Sequence, residues 1–176
     1  RVALANDNLP EAELWFDRAL QHPNASAAAA LGMAQVQLGQ DSAGEAATSL
    51  RAALQLPGTP AQYATAWQQL GALLAQEERW AEAADALEAA LRQQPTASVA
   101  FELGVAELQR GNRQEAEAAF ATVRRLSGDS PSLLTRIGEA YRRAGDRDGA
   151  ARLAELVIQT FPTSPLGYRL QARLAM

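Results

Sequence analysis

A Leu-Gly or Ile-Gly pair recurs along this chain, at Leu31-Gly32, Leu70-Gly71, Leu103-Gly104 and Ile137-Gly138, with intervals of 39, 33 and 34 residues. A second series, Ala12, Ala46, Ala83, Ala116 and Ala150, keeps intervals of 34, 37, 33 and 34. Two series with nearly one period constrain the fold more than any other feature. Each period is a supersecondary unit that cannot bury its own faces, so it must stack on its neighbours. The 176 residues hold about five such units. Alanine is abundant enough to match by chance, so the glycine series carries the greater weight.

Within each unit the pattern predicts two antiparallel helices joined by a short turn. Gly and Ala sit where the backbones cross, and Trp67, Leu87, Phe120 and Tyr141 fill the space beside the crossing. Gly39, Gly111 and Gly145 fall where first helices end and suit a left-handed C-terminal cap. Asn112 and Asp146 follow two of them. Thr59-Pro60, Ser130-Pro131 and Ser164-Pro165 each read as an N-cap followed by proline at the first helical position. The helix from Pro60 should run to Gln76, longer than its counterparts, and Pro165 to Met176 should form a final single helix. The second unit should carry two extra residues in its turn, between Gln40 and Gly44. The chain opens at Arg1 as if inside a helix, like a segment of a longer protein, and leaves an apolar face near Val2 and Leu4 that could pair with another copy.

These residues resemble the tetratricopeptide repeat (TPR) family, whose pattern is W-x2-L-G-x2-Y, then Ala, an aromatic four residues on, and a late Pro. The third unit matches with Trp67, Leu70, Gly71, Leu74, Ala83, Leu87, Ala90 and Pro95; the fourth with Leu103, Gly104, Ala116 and Phe120; the fifth with Ile137, Gly138, Tyr141, Ala150 and Pro162. The first keeps Ala12, Phe16, Ala19 and Pro23, and the second Leu31, Gly32, Ala46, Leu50 and Ala53. The resemblance implies an all-α fold: a right-handed superhelix (α-solenoid) of about five helical hairpins plus a C-terminal capping helix. It implies one domain over 1–176, with repeats near 1–23, 24–57, 58–95, 96–129 and 130–162 and a final helix at 165–176.

In this family the first helices line a concave groove that holds a partner polypeptide. Counting from each Leu-Gly pair, the resemblance places Ala29, Met33 and Val36, then Gln68, Ala72 and Gln76, then Phe101, Val105 and Leu108 on that face. Thr135, Glu139, Arg142 and Arg143 follow, with Arg136 at the edge and Arg169 and Arg173 on the last helix. The implied groove is apolar at Met33, Val36, Phe101, Val105 and Leu108 and basic at its end. The expected partner is a peptide, helix or subunit of another protein, with acidic groups reaching Arg136, Arg142 and Arg143.

Composition argues against other classes. There is no cysteine and no lysine, and His22 is the one histidine. Thiol nucleophiles, disulfides, Schiff bases and a phosphate-binding Walker lysine are therefore absent. The paired carboxylates, Glu77-Glu78 and Glu115 with Glu117, fall at turns and exposed faces. An enzyme, a cofactor and a metal are not expected. The net charge of −4 disfavours nucleic acid, and residues 1–120 carry −8 while 121–176 carry +4. An RNA-binding helical repeat needs a basic groove along its whole length, which the first 120 residues deny. No stretch is apolar enough to cross a bilayer.

A narrower resemblance is to outer-membrane TPR lipoproteins that assist pilus secretins (the pilotin type). It rests on the long helix after Pro57 and on Asp146-Arg147-Asp148, Phe161-Pro162, Ser164 and Tyr168. It implies a periplasmic or outer-membrane-associated scaffold in assembly of a pilus or secretion complex. Polysaccharide-export scaffolds with Ala-rich repeats are the alternative.

Overall fold

The computed structural model describes residues 8–175. Val2 and Leu4, and the apolar face expected there, lie outside the described residues. Among these residues every regular element is a helix. The backbone contacts divide the chain into two compact units, Arg1–Pro95 and Thr96–Met176. The first contains α1 (Leu9–Gln21), α2 (Ala27–Gly39), α3 (Ala43–Ala53), α4 (Pro60–Gln76) and α5 (Trp80–Gln93). The second contains α6 (Ala97–Gln109), α7 (Arg113–Ser127), α8 (Pro131–Arg143), α9 (Arg147–Thr160) and α10 (Leu166–Leu174). The pairs α2–α3, α4–α5, α6–α7 and α8–α9 are antiparallel hairpins, with α1 packed on α2 and α10 packed on α9 and α8. The described residues thus hold the second helix of the first repeat (α1), four complete hairpins and a closing helix (α10), in keeping with the expected stack of about five repeats.

All four hairpin turns are built alike. Each has three residues between its helices, and the middle one is left-handed: Asp41 (φ 58°), Glu78 (58°), Gly111 (81°) and Gly145 (83°). The next amide reaches back five residues to close the helix end: Ser42 to Gln37 O (2.8 Å), Arg79 to Leu74 O (2.9 Å), Asn112 to Glu107 O (2.9 Å) and Asp146 to Tyr141 O (2.9 Å). This is the Schellman closure, which satisfies carbonyls that the helix end leaves bare. Gly111 and Gly145 hold the expected caps. Gly39 does not: it is the last residue of α2, and Asp41 takes the left-handed place.

The helix starts follow the proline signals. Thr59 and Gln62 form a reciprocal capping box at α4, and Ser130 Oγ accepts from the Leu133 amide at α8 (3.2 Å). At α10 the cap moves one place, with Pro165 in the N-cap position and Ser164 Oγ accepting from the Leu166 amide at 3.4 Å. The helix from Pro60 does run to Gln76.

Helix crossings explain the small residues. A Cβ added at Gly71 would lie 2.8 Å from Leu87 Cγ, and one at Gly104 would lie 2.6 Å from the Phe120 ring. Backbones this close admit no side chain. Ala46, Ala83, Ala116 and Ala150 are fully buried on the facing helices, and Ala12 is 2% exposed. Gly32 departs from this scheme. A side chain there would strike the Phe16 ring of α1, not its own second helix. The turn at 40–42 is no longer than the others, so the two additional residues belong to the register of α2. The residue eighth in α2, α6 and α8 is Ala34, Gly104 and Gly138, and Ala34 is fully buried. With Ala34 in place of Gly32, the first-helix intervals become 37, 33 and 34, identical to those of the alanines.

Candidate functional site

The register of α2 decides the fate of two expected groove residues. Met33 takes the place of Leu70, Leu103 and Ile137, all buried, and is itself 7% exposed. Val36 takes the place of Leu73, Ala106 and Ala140, and is fully buried. Neither offers surface to a partner, and both expectations are corrected. The positions that replace them in the face are Leu31, which is buried, Gln35, which is exposed, and Leu38, which is half-buried. Leu108 is also corrected, at 8% exposed. At 100° per residue it stands only about 40° around α6 from Gly104, while Val105 stands about 100° away. It therefore turns into the core with Glu107.

The remaining expected residues lie in the second unit. Phe101 and Val105 of α6 are half-buried. On α8 and α10, Arg136, Arg143 and Arg169 are exposed, and Glu139 and Arg142 are half-buried. The Arg136 guanidinium sits over the Phe101 ring, 4.5 Å from its centroid. Such a contact holds a cation on an aromatic face. The same ring tilts against Phe120 (5.7 Å between centroids), and Phe120 against Tyr141 (5.5 Å). Phe101 is thus an open end of an aromatic row that continues into the core. Burial pushes the Tyr141 hydroxyl up to about 12.

Glu139 gathers the charges. It accepts from Arg142 Nε at 2.8 Å and from Arg173 Nη1 at 2.6 Å. Burial alone would raise its carboxyl, but the two hydrogen bonds outweigh that and hold it below the ordinary carboxylate value. Arg142 and Arg173, with Arg147 and Leu174, line a cleft of about 370 Å³. Arg147, which the sequence marks only within Asp146-Arg147-Asp148, stands at the first position of α9 and lines the same opening. Arg143 and Arg169 make no ion pair among the described residues.

A second cleft, of about 420 Å³, opens in the first unit between α3 and the start of α4, walled by Leu54, Tyr63, Trp67 and Arg51. Trp67, expected beside the crossing, is half-buried and walls this cleft together with Leu70, the neighbour of Gly71. The longer N-terminus of α4 carries Tyr63, whose hydroxyl donates to Leu56 O (2.9 Å). Elsewhere, His22 is exposed in its loop, with Nδ1 accepting from the Asn24 amide. Among the described residues no three of His, Cys, Asp and Glu form a metal-holding group. No helix among the described residues is long and apolar enough to cross a membrane.

A sequence model of the tetratricopeptide repeat matches residues 30–98, 69–131 and 101–165, most of the chain. This chain belongs to the tetratricopeptide repeat family. The TPR fold is shared with solved structures at low identity. YrrB, a TPR protein with an unusual peptide-binding site, is 20% identical, with a TM-score of 0.75 over 97% of this chain and 87% of its own. MamA is 20% identical, with a TM-score of 0.72 over 97% and 95%. A TPR protein from Parabacteroides merdae is 19% identical, with a TM-score of 0.75 over 98% and 68%. No curated protein matches the chain. These likenesses support the TPR reading of its hairpins and leave the groove chemistry to its own residues.

Proposed function

We propose that this TPR chain is a non-catalytic scaffold that holds another polypeptide against the first-helix face of its second unit. One observation carries the reading. Phe101 and Val105 keep apolar surface open, with the Arg136 guanidinium over the Phe101 ring and with Arg143 and Arg169 exposed in the same unit, while Val99, Leu103, Leu133, Leu134 and Ile137 are buried. Apolar anchors flanked by cations suit a segment with hydrophobic and acidic side chains. Burying one such anchor contributes about 1.5–3 kcal/mol. YrrB, of the same fold, has a peptide-binding site, which accords with this use of the family scaffold.

The setting we propose is assembly of a bacterial envelope pilus or secretion complex, in the periplasm or at the outer membrane. It rests on the resemblance of Asp146-Arg147-Asp148, Phe161-Pro162, Ser164 and Tyr168 to the pilotin-type ending. Asp146 also caps α9 through the Gly149 amide (2.7 Å), and Phe161 follows that helix, so part of this pattern serves the hairpin itself. The test is affinity capture from a bacterial envelope extract, comparing the parent with a Phe101→Ala/Arg142→Glu/Arg143→Glu variant of confirmed helicity. A partner kept by the parent and lost by the variant is the expected result. Capture unchanged by the variant would remove this face as the binding site. A partner from polysaccharide synthesis or export would replace the pilus setting.

A further inference from the structure

The cleft beside Glu139 has a composition that specifies what enters it. Three of its four lining residues are arginines from three helices: Arg142 near the end of α8, Arg147 at the start of α9 and Arg173 near the end of α10. The fourth, Leu174, supplies an apolar wall. A single carboxylate, Glu139, serves two of these cations, so the opening keeps an excess of positive charge. The nearby acid Asp146 is engaged elsewhere, with Arg113 at 3.1 Å and the Gly149 amide. Glu139 also shows which anion fits. Arg142 and Arg173 already hold a carboxylate at 2.8 and 2.6 Å, each through one nitrogen of a guanidinium that has further donors.

We propose that this cleft is a carboxylate-binding site that takes an aspartate or glutamate side chain of a bound peptide. Arg147 and the remaining donors of Arg142 and Arg173 grip the carboxylate, and Leu174 packs against the aliphatic part of the incoming side chain. Glu139 is a positioning residue that holds two guanidiniums at the opening. The inference deepens the scaffold reading and rests on it, since it names the chemistry of the held segment. A peptide is favoured over nucleic acid because the first unit, with five arginines against 11 acidic residues, would repel an extended polyanion.

Fluorescence anisotropy with a labelled short peptide of alternating leucine and glutamate, at low salt, tests the site. Its glutamine isostere, a charge-matched oligothymidylate and three proteins are compared: the parent, Arg147→Gln/Arg173→Gln, and Arg92→Gln/Arg125→Gln as a charge-matched control. Circular dichroism verifies that all three are equally helical. The expected result is binding of the acidic peptide that falls about tenfold for the isostere and for the cleft variant, but not for the control. Equal loss in both variants would reduce the effect to net charge and overturn the site. So would equal binding of the two peptides, or an oligothymidylate that binds more tightly than the acidic peptide. The scaffold reading fails separately. A captured partner that is lost on Phe101→Ala but kept by the cleft variant would discard the carboxylate site alone, and failure to capture any partner would count against the scaffold.

Discussion

Glu107 is a buried charge, 2% exposed, at the position that Leu74 and Tyr141 fill in other hairpins. Its carboxylate accepts from Arg110 and from Asn112, both at 2.9 Å, tying the end of α6 to its turn. Removing it as Glu107→Ala leaves a hole and two donors without their acceptor. A loss of about 1–3 kcal/mol is expected in denaturant unfolding. Glu107→Leu, which copies Leu74, should lose less, because it refills the space. Titration offers a second check. Glu139 lies below its ordinary value of 4.5 when folded, so its contribution is present above that pH and is lost as the pH falls through the lower folded value. Glu139→Gln should therefore flatten the acid limb of a stability-versus-pH curve. Tyr141 works in the opposite direction: its folded value of about 12 exceeds the ordinary 10, so stability should decline as pH rises from 10 towards 12. The partial exposure of Phe101 could be read from sequence, by its spacing from Gly104. Its pairing with Arg136 could not, because a contact between helices leaves no spacing signal.

The hairpin turn gives the sharpest comparison between elements. Four turns share one backbone, yet two place glycine at the left-handed residue while Asp41 and Glu78 occupy it with a side chain. Left-handed backbone penalises an L side chain by roughly 1–2 kcal/mol. Glu78→Gly is expected to raise stability by about 0.5–1 kcal/mol, and Gly111→Ala to lower it by about 1 kcal/mol, read as opposite shifts in melting temperature. The same comparison shows what was legible in the sequence. Caps at Thr59, Ser130, Gly111 and Gly145 and the length of α4 could be read because each depends on local chemistry. Gly32 misled because a glycine looks alike whatever it accommodates. It makes room for Phe16 of the preceding helix, while the crossing of its own hairpin uses Ala34. The warning was the interval of 39 against 37 in the alanine series, and following the alanines would have kept Met33 and Val36 in the core. Arg147 is legible in the sequence only as part of Asp146-Arg147-Asp148, because it starts a second helix, outside the face from which groove residues are counted.

Across the molecule, burial is uneven. Among the described residues α1 buries one, Ala12, and α10 buries Gly167 and Leu170, whereas α2 and α6 bury seven each and α4 and α8 six. Hydrogen exchange should therefore release the amides of α1 and α10 first, with those of α2, α4, α6 and α8 persisting longest; uniform protection would contradict it. Charge is uneven as well, with 11 arginines against nine acidic residues from Thr96 onward. Added salt should weaken any acidic partner held there. The matched intervals of the crossing residues, 37, 33 and 34 on both first and second helices, have a further meaning. The longer period is absorbed outside the crossings, in the segment before α4 and in that helix's extra turn. The chain behaves like a ladder whose rungs keep their pairing when a rail is lengthened. That lengthened rail is still tied down, by Leu56 O to the Tyr63 hydroxyl and by Pro57 O to the Ala27 amide, both at 2.9 Å, so spare length here serves as a brace between neighbouring hairpins while every glycine and alanine keeps its opposite number.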